Sequence, residues 1–292
     1  MISSFGSRLA AEFAASRHLC AGIDPHAPLL DDWGLADDAA GAERMGREVV
    51  AASVGVAACV KPQVAFFERF GSAGFVALER VLADARAAGL LVVADVKRGD
   101  IGSSFAAYAD AWLAPGSPLE ADAMTVTAYQ GFGTLDGAFG YVREHGKGLF
   151  VLAATSNPEA RDVQRAVRAD GQSVAAAMVA DADALNRQEF PEETVGSIGV
   201  VLGATLNLAD FGIDAGERQA EARASNRKLP VLAPGFGHQG ARIEDAGEIF
   251  GALGGALLAN ESRSILSGGA SGLAARVRAR AEAIGAALAQ SD

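Results

Sequence analysis

Short aliphatic runs alternate with longer stretches of helical spacing from one end of this 292-residue chain to the other. The runs fall at 19–23, 58–61, 90–96, 121–125, 148–153, 197–202, 229–233 and 255–258. Runs this short and this apolar have the character of strands buried on both faces. Between them apolar residues recur every three or four positions. Met45, Val49, Ala52 and Val56 form one such set, and Phe75, Leu78, Leu82 and Ala85 another. Leu273, Val277, Ala281, Ile284 and Leu288 form the last. That spacing puts each set on one face of a helix. Regular alternation implies parallel strands joined by right-handed crossovers. Eight such units, without a linker, repeat or break in composition, predict an α/β fold in one domain over 1–292, a closed (β/α)8 TIM barrel. A doubly wound open sheet is the second reading, but no Gly-x-Gly-x-x-Gly follows the first strand. Residues 1–17 read as an amphipathic helix with Phe5, Leu9 and Phe13 on one face. The stretch 156–195 is long for a single crossover and is expected to hold extra helical material.

Composition supports a large core: hydrophobic residues make up 50% of the chain and charged residues 21%. No apolar run reaches the roughly eighteen residues of a membrane-spanning helix, and the N-terminus lacks the basic head and apolar segment of a secretory signal. A cytoplasmic protein is expected. Cys20 and Cys59 both sit in strand-like runs and read as buried structural thiols of a reducing compartment. The four histidines show no metal-ligand spacing. A net charge of −11 argues against nucleic acid as a partner. It also means that an anionic substrate must be held by local cations and backbone N–H groups.

The candidate chemistry is densest at the end of the third run. Leu90-Leu91-Val92-Val93-Ala94 leads into Asp95-Val96-Lys97-Arg98-Gly99-Asp100. If the strand continues through Lys97, its period of two puts Asp95 and Lys97 on the same side, with Asp100 in the loop beyond. Clustered charges cost desolvation and repulsion, so the pattern points to function, although D-x-K-x-x-D alone also fits a solvated strand-end salt bridge.

In a TIM barrel the chemistry gathers at the C-terminal ends of the strands. Read there, the chain offers Asp24 before Pro25, then Lys61-Pro62, then Asp95, Lys97 and Asp100. Strand five runs into Thr155-Ser156-Asn157-Pro158, and strand seven into Pro234-Gly235-Phe236-Gly237-His238-Gln239-Gly240. Strand eight is followed by Asn260-Glu261-Ser262-Arg263. Taken singly, Asp24-Pro25, Lys61-Pro62 and Ser156-Asn157-Pro158 also fit ordinary turn chemistry. The glycine-rich loop after strand seven, together with Arg263 after strand eight, is more telling. Those two loops build the recurrent phosphate site of these barrels, and arginine supplies a forked, permanent cation for it. A phosphorylated small molecule is the favoured ligand class.

Asp95-Val96-Lys97-Arg98-Gly99-Asp100-Ile101 resembles the D-x-K-x-x-D-I signature of orotidine 5′-phosphate decarboxylases. The resemblance covers nearly the whole chain. Asp24, Lys61, Ser156, Pro234-Gly235, Gln239-Gly240 and Arg263 fall in the family's order. Gly22-Ile23-Asp24-Pro25-His26, Val60-Lys61-Pro62-Gln63 and Thr155-Ser156-Asn157-Pro158-Glu159 are similar to its longer bacterial, type 2 branch. One departure is Ser104, where the family usually has threonine.

The resemblance implies decarboxylation of orotidine 5′-monophosphate to uridine 5′-monophosphate in pyrimidine biosynthesis, without metal or other cofactor. It implies an alternating array of Lys61, Asp95, Lys97 and Asp100, with Lys97 as proton donor. Asp100, Ile101 and Ser104 would reach in from the partner subunit of a homodimer. Asp24 would bind ribose hydroxyls, Ser156 the pyrimidine edge, and Gln239 both base and phosphate. Arg263 and the backbone from Gly237 to Gly240 would hold phosphate. The rival reading is a Mg²⁺-dependent sugar-phosphate decarboxylase or synthase on the same barrel. Such enzymes carry an acid at the end of strand two, where this chain has Lys61. Arg276, Arg278 and Arg280 read as a solvated face of the last helix, and Trp33 and Trp112 as packing residues.

Overall fold

The computed structural model describes residues 2–213 and 227–289. Eight parallel strands follow one another around a closed barrel. They are β1 (Leu19–Ile23), β2 (Cys59–Pro62), β3 (Leu91–Arg98), β4 (Ala123–Val126), β5 (Gly148–Ala154), β6 (Ile198–Leu202), β7 (Val231–Pro234) and β8 (Leu257–Glu261). β8 pairs back onto β1, so no strand edge is left open. This is the TIM barrel that the alternation predicts. The last strand departs furthest from its predicted bounds. Gly251–Ala256 forms a 3-10 segment, and the strand starts only at Leu257 and runs on through Asn260 and Glu261.

The predicted apolar faces lie on the helices Ala39–Ser53, Gly71–Ala87 and Leu273–Leu288, with Met45, Val49, Leu78, Leu82, Val277 and Ile284 buried against the outer faces of the strands. Val56 falls beyond the end of its helix. The N-terminal helix is Phe5–Ala14, started by Ser4, whose hydroxyl accepts from the Ser7 N–H at 3.0 Å. Met1 lies outside the described residues. Phe5 meets Phe150 edge-on at 5.9 Å, so this helix stoppers the N-terminal mouth of the barrel. Between β5 and β6 the chain forms a 3-10 turn and the helices Arg161–Gln164 and Val174–Glu189.

Trp33 and Trp112 are buried, and the Trp33 indole donates to the Leu266 carbonyl at 2.9 Å. The solvated arginine face is corrected. Arg278 is exposed, but Arg276 turns in to cap the Gly269, Ile265 and Ser271 carbonyls, and Arg280 turns in to the Glu261 carboxylate. The two are one helical turn apart, and each has a stem long enough to reach back over the barrel rim. No helix among the described residues is long and apolar enough to cross a membrane.

Inside the barrel the period of two selects Cys20, Cys59, Leu91, Val93, Ala123, Phe150, Leu232 and Leu258 as a dry core. Cys20 and Cys59 face each other across β1 and β2 as free thiols, and their hydrogen bond together with burial pushes the Cys59 thiol up. One inward step higher on β2, β3, β4 and β8, polarity changes. Cys59 gives way to Lys61, Val93 to Asp95, Ala123 to Thr125 and Leu258 to Asn260. The apolar floor therefore ends at a polar layer at the C-terminal mouth.

Candidate active site

Asp95 is the centre of that layer. Its Oδ2 accepts from Lys61 Nζ at 2.6 Å, and its Oδ1 accepts from both Lys97 Nζ and the Thr125 hydroxyl, the latter at 2.9 Å. Lys61 is 3% exposed and Asp95 7%, so this is a buried charge pair rather than a solvated strand-end bridge. Burial alone would raise the Asp95 pKa, but the two ammonium groups outweigh it and hold the carboxyl well below the usual range. Burial alone would lower the Lys61 pKa, but Asp95 and Asp24 outweigh it and raise the pKa above that of an ordinary lysine. Both groups are therefore charged throughout the neutral range.

Lys97 differs from Lys61 in being free to act. Its side chain is 45% exposed, and its ammonium also reaches Gln63 Oε1 at 3.3 Å. Asp95 and Lys97 share a side, as the period of two predicts, but the backbone between them is not regular. The β3–β4 register shifts between Ala94 and Arg98, and Lys97 adopts φ +47°, a left-handed conformation that a side chain other than glycine or asparagine rarely takes. The Lys97 N–H is held in that pose by the Thr125 hydroxyl at 2.9 Å. Thr125 thus ties Asp95 and the Lys97 backbone together. Sequence reasoning missed it, although the inward period of β4 singles it out at the strand end.

Among the described residues, Asp100 makes no ion pair with the other three charges. Its Oδ1 accepts from the Ile101 N–H at 2.8 Å, turning the carboxylate onto its own loop. Ile101 is 58% exposed, Ser104 is exposed at the start of the helix Gly102–Leu113, and Tyr129 nearby in the barrel order is 85% exposed.

The second half of the site lies over β7, β8 and β1. A narrow cavity is lined by Asp24, Pro234, Gln239, Asn260, Ser262 and Arg263, among others. Gly235 takes φ +122° and approaches the Ala204 N–H closely, so glycine is required for the chain to turn inward here. The loop is then pinched shut: Gly237 N–H donates to Ala241 O at 2.9 Å and Ala241 N–H to Gly235 O at 3.1 Å. Gly237, Gln239 and Gly240 are left exposed at its tip. Arg263 opens the helical turn after β8, and its guanidinium has no hydrogen-bonded partner among the described residues. Among the described residues, Asp24 Oδ1 and Asn260 Oδ1 are buried without a hydrogen-bond partner. Asn260, which the sequence places just beyond strand eight without a role, belongs to the strand itself and lines the cavity. His26 faces the same end, and burial, opposed by Asp24 and reinforced by Arg263, lowers its pKa.

Ser156 is exposed on the β5 loop, which Gln164 braces by holding the Thr155 N–H and hydroxyl, each at 2.9 Å. A separate groove of about 540 Å³ beside Tyr129, Phe132 and Met178 collects no comparable set of charges. Among the described residues no group of three or more His, Cys, Asp or Glu side chains could hold a metal ion.

The arrangement is a buried ion array at the ends of β2 and β3 and a polar, arginine-bearing cavity over β7, β8 and β1. Comparison with known proteins agrees. The sequence profile of the orotidine 5′-phosphate decarboxylase / HUMPS family matches residues 17–276. An orotidine 5′-phosphate decarboxylase of a Nocardioides species is 52% identical over 90% of this chain and 91% of its own length. Its counterpart in Streptomyces coelicolor is 50% identical over 91% and 90%. A solved structure from Streptomyces avermitilis, provisionally assigned to the same enzyme, superposes with a TM-score of 0.89 at 49% identity, covering 99% of this chain and 97% of that one. The Leishmania donovani OMP decarboxylase gives 0.75 at 30% identity, with 98% of each chain covered. With the strand-end charges, the glycine-rich loop after β7 and these relatives all in accord, the chain belongs to the orotidine 5′-phosphate decarboxylase / HUMPS family.

Proposed function

We infer that this chain removes CO₂ from C6 of orotidine 5′-monophosphate to give uridine 5′-monophosphate, and that Lys97 supplies the proton. The observation that carries the reading is Asp95 held between buried Lys61 and exposed Lys97 at the barrel mouth. When the C6–carboxylate bond breaks, its electron pair stays on C6 in the plane of the ring. That pair cannot delocalise into the π system. Stabilisation must come from charge already in place, which a fixed ammonium in a water-poor site provides. The Lys97 N–H bond then yields its proton to C6, CO₂ leaves neutral, and the lysine recovers a proton from solvent. Asp95 sets a negative charge against the substrate carboxylate, a repulsion relieved as CO₂ departs. Lys61 keeps Asp95 ionised, and Thr125 fixes both Asp95 and the Lys97 backbone.

The phosphate subsite fits the same reading. Arg263 and the N–H groups of Gly237 to Gly240 suit a phosphate dianion, Asp24 suits ribose hydroxyls, and Ser156 and Gln239 suit the pyrimidine and its link to the phosphate. The metal-dependent rival loses support at the end of β2. The Lys61 ammonium, 2.6 Å from Asp95, would repel a divalent cation there. The decisive measurement is the ultraviolet absorbance change on adding orotidine 5′-monophosphate to purified protein, with and without EDTA. Conversion unaffected by chelator is expected; no conversion by folded protein would sink the assignment.

Shared sites in a homodimer complete the proposal. Asp100, whose carboxylate accepts from the Ile101 N–H of its own loop, together with exposed Ile101 and Ser104, suits a partner's site. Asp100→Ala and Lys97→Ala proteins, each inactive alone, are then expected to regain about a quarter of parental activity when mixed and allowed to exchange, because half the dimers become mixed and each holds one intact site. Mixtures that stay inactive would place Asp100 in its own chain's site. The free thiols of the barrel interior suit a cytoplasmic protein.

A further inference from the structure

Glu261 ends β8 with its side chain fully buried, and the mechanism above gives it no part. A carboxylate removed from water is costly unless its oxygens are taken up. Here they are. Arg280, from the helix Leu273–Leu288, donates Nε to Oε2 at 2.9 Å and Nη2 to Oε1, and Ser264 Oγ donates to Oε2. The hydrogen bond to Glu261 is also the largest reason the Arg280 pKa is raised.

What surrounds this pair is the anion cradle. Ser264 directly follows Arg263, and both line the cavity over β7 and β8. Gly237, at φ +67°, lies so near that a Cβ there would stand 3.4 Å from Glu261 Oε2 and 3.3 Å from Ser264 Cβ. The loop of β7 and the turn that presents Arg263 therefore rest on the same buried carboxylate. A bare negative charge at that point would oppose a phosphate dianion across a low-dielectric wall.

We propose that Glu261 and Arg280 are a positioning pair for the phosphate subsite, Glu261 fixing the Arg263 turn through Ser264 and Arg280 cancelling the charge that Glu261 would otherwise set against the phosphate. The inference rests on the nucleotide reading above. It separates from a plain structural salt bridge by its dependence on the sign of the charge left behind.

The test uses Arg280→Met, Glu261→Gln and the double variant, with uridine 5′-monophosphate and uridine as competitive inhibitors of decarboxylation and thermal unfolding alongside. Arg280→Met should raise the inhibition constant of the monophosphate by about tenfold or more and that of uridine by less than about twofold, since only the former carries the opposed charge. Glu261→Gln should bind the monophosphate at least as tightly as the parent, because a cation is left unopposed behind the cradle. The double variant should recover most of what Arg280→Met loses, although the salt bridge is still missing. If Arg280→Met does not fold, Glu261→Gln and the double variant decide by comparison with the parent: both should bind the monophosphate about as tightly as it does. Variants that weaken both inhibitors in parallel, or a double variant no better than Arg280→Met, would reduce the pair to a structural bridge. A parent chain that fails to bind uridine 5′-monophosphate would overturn the substrate reading and this inference with it.

Discussion

Replacing Lys97 with alanine should abolish decarboxylation and leave the barrel folded. Two contributions vanish together. A positioned proton donor is worth about 10² to 10⁴ in rate, and a preorganised charge at the reacting centre about 10² to 10³. With the two contributions acting independently, a fall of at least about 10⁴ is expected. Stability should change little for a structural reason. The Lys97 side chain is 45% exposed, and without it Asp95 still holds Lys61 on one oxygen and Thr125 on the other. Loss of the orotidine 5′-monophosphate absorbance change, with a melting temperature close to the parent's, is the expected pairing. A nearly normal rate would remove Lys97 as proton donor.

The distinction between Lys97 and Lys61 shows where sequence reading reaches its limit. The eight apolar runs and the helical faces between them are local patterns, and hydrophobic burial makes them legible residue by residue. The strand-end acids and bases were legible too, because charge at the end of an apolar strand conflicts with burial. What could not be read is anything that depends on closing the barrel. Thr125, Gln63 and Asn260 are ordinary polar residues in sequence and become site residues only when register brings β2, β4 and β8 around Asp95 and Asp24. Arg280 looked solvated because its helix face was judged by its own period, whereas its partner Glu261 comes from a strand 19 residues earlier in the chain. Asn260 and Glu261 are visible at the end of strand eight, but their roles depend on partners that only the closed barrel supplies. The positive φ of Lys97 likewise has no local signal, since nothing in Val96-Lys97-Arg98 asks for it.

Asp95→Asn should cost stability as well as activity. It leaves Lys61, 3% exposed, without the carboxylate that offsets its burial. Breaking one partner of a buried pair typically costs about 3–5 kcal/mol. The dependence on pH gives the claim its sharper form. The folded-state pKa of Asp95 is depressed, so its contribution is present above the unfolded carboxylate value of about 4 and is lost as pH falls through the folded value. The folded-state pKa of Lys61 is raised, so its contribution is present below the unfolded lysine value of about 10.4 and is lost as pH rises through the folded value. In the variant the sign for Lys61 reverses. Burial now dominates, its pKa falls, and the penalty on its charged form disappears as pH approaches 10. The stability gap between parent and variant should therefore be widest around neutral pH, narrowing below about pH 4 and again towards pH 10. Denaturant unfolding of both proteins across that range measures it. A gap that is absent at neutral pH, or that grows towards either extreme, would mean that Asp95 and Lys61 do not depend on each other for their charge.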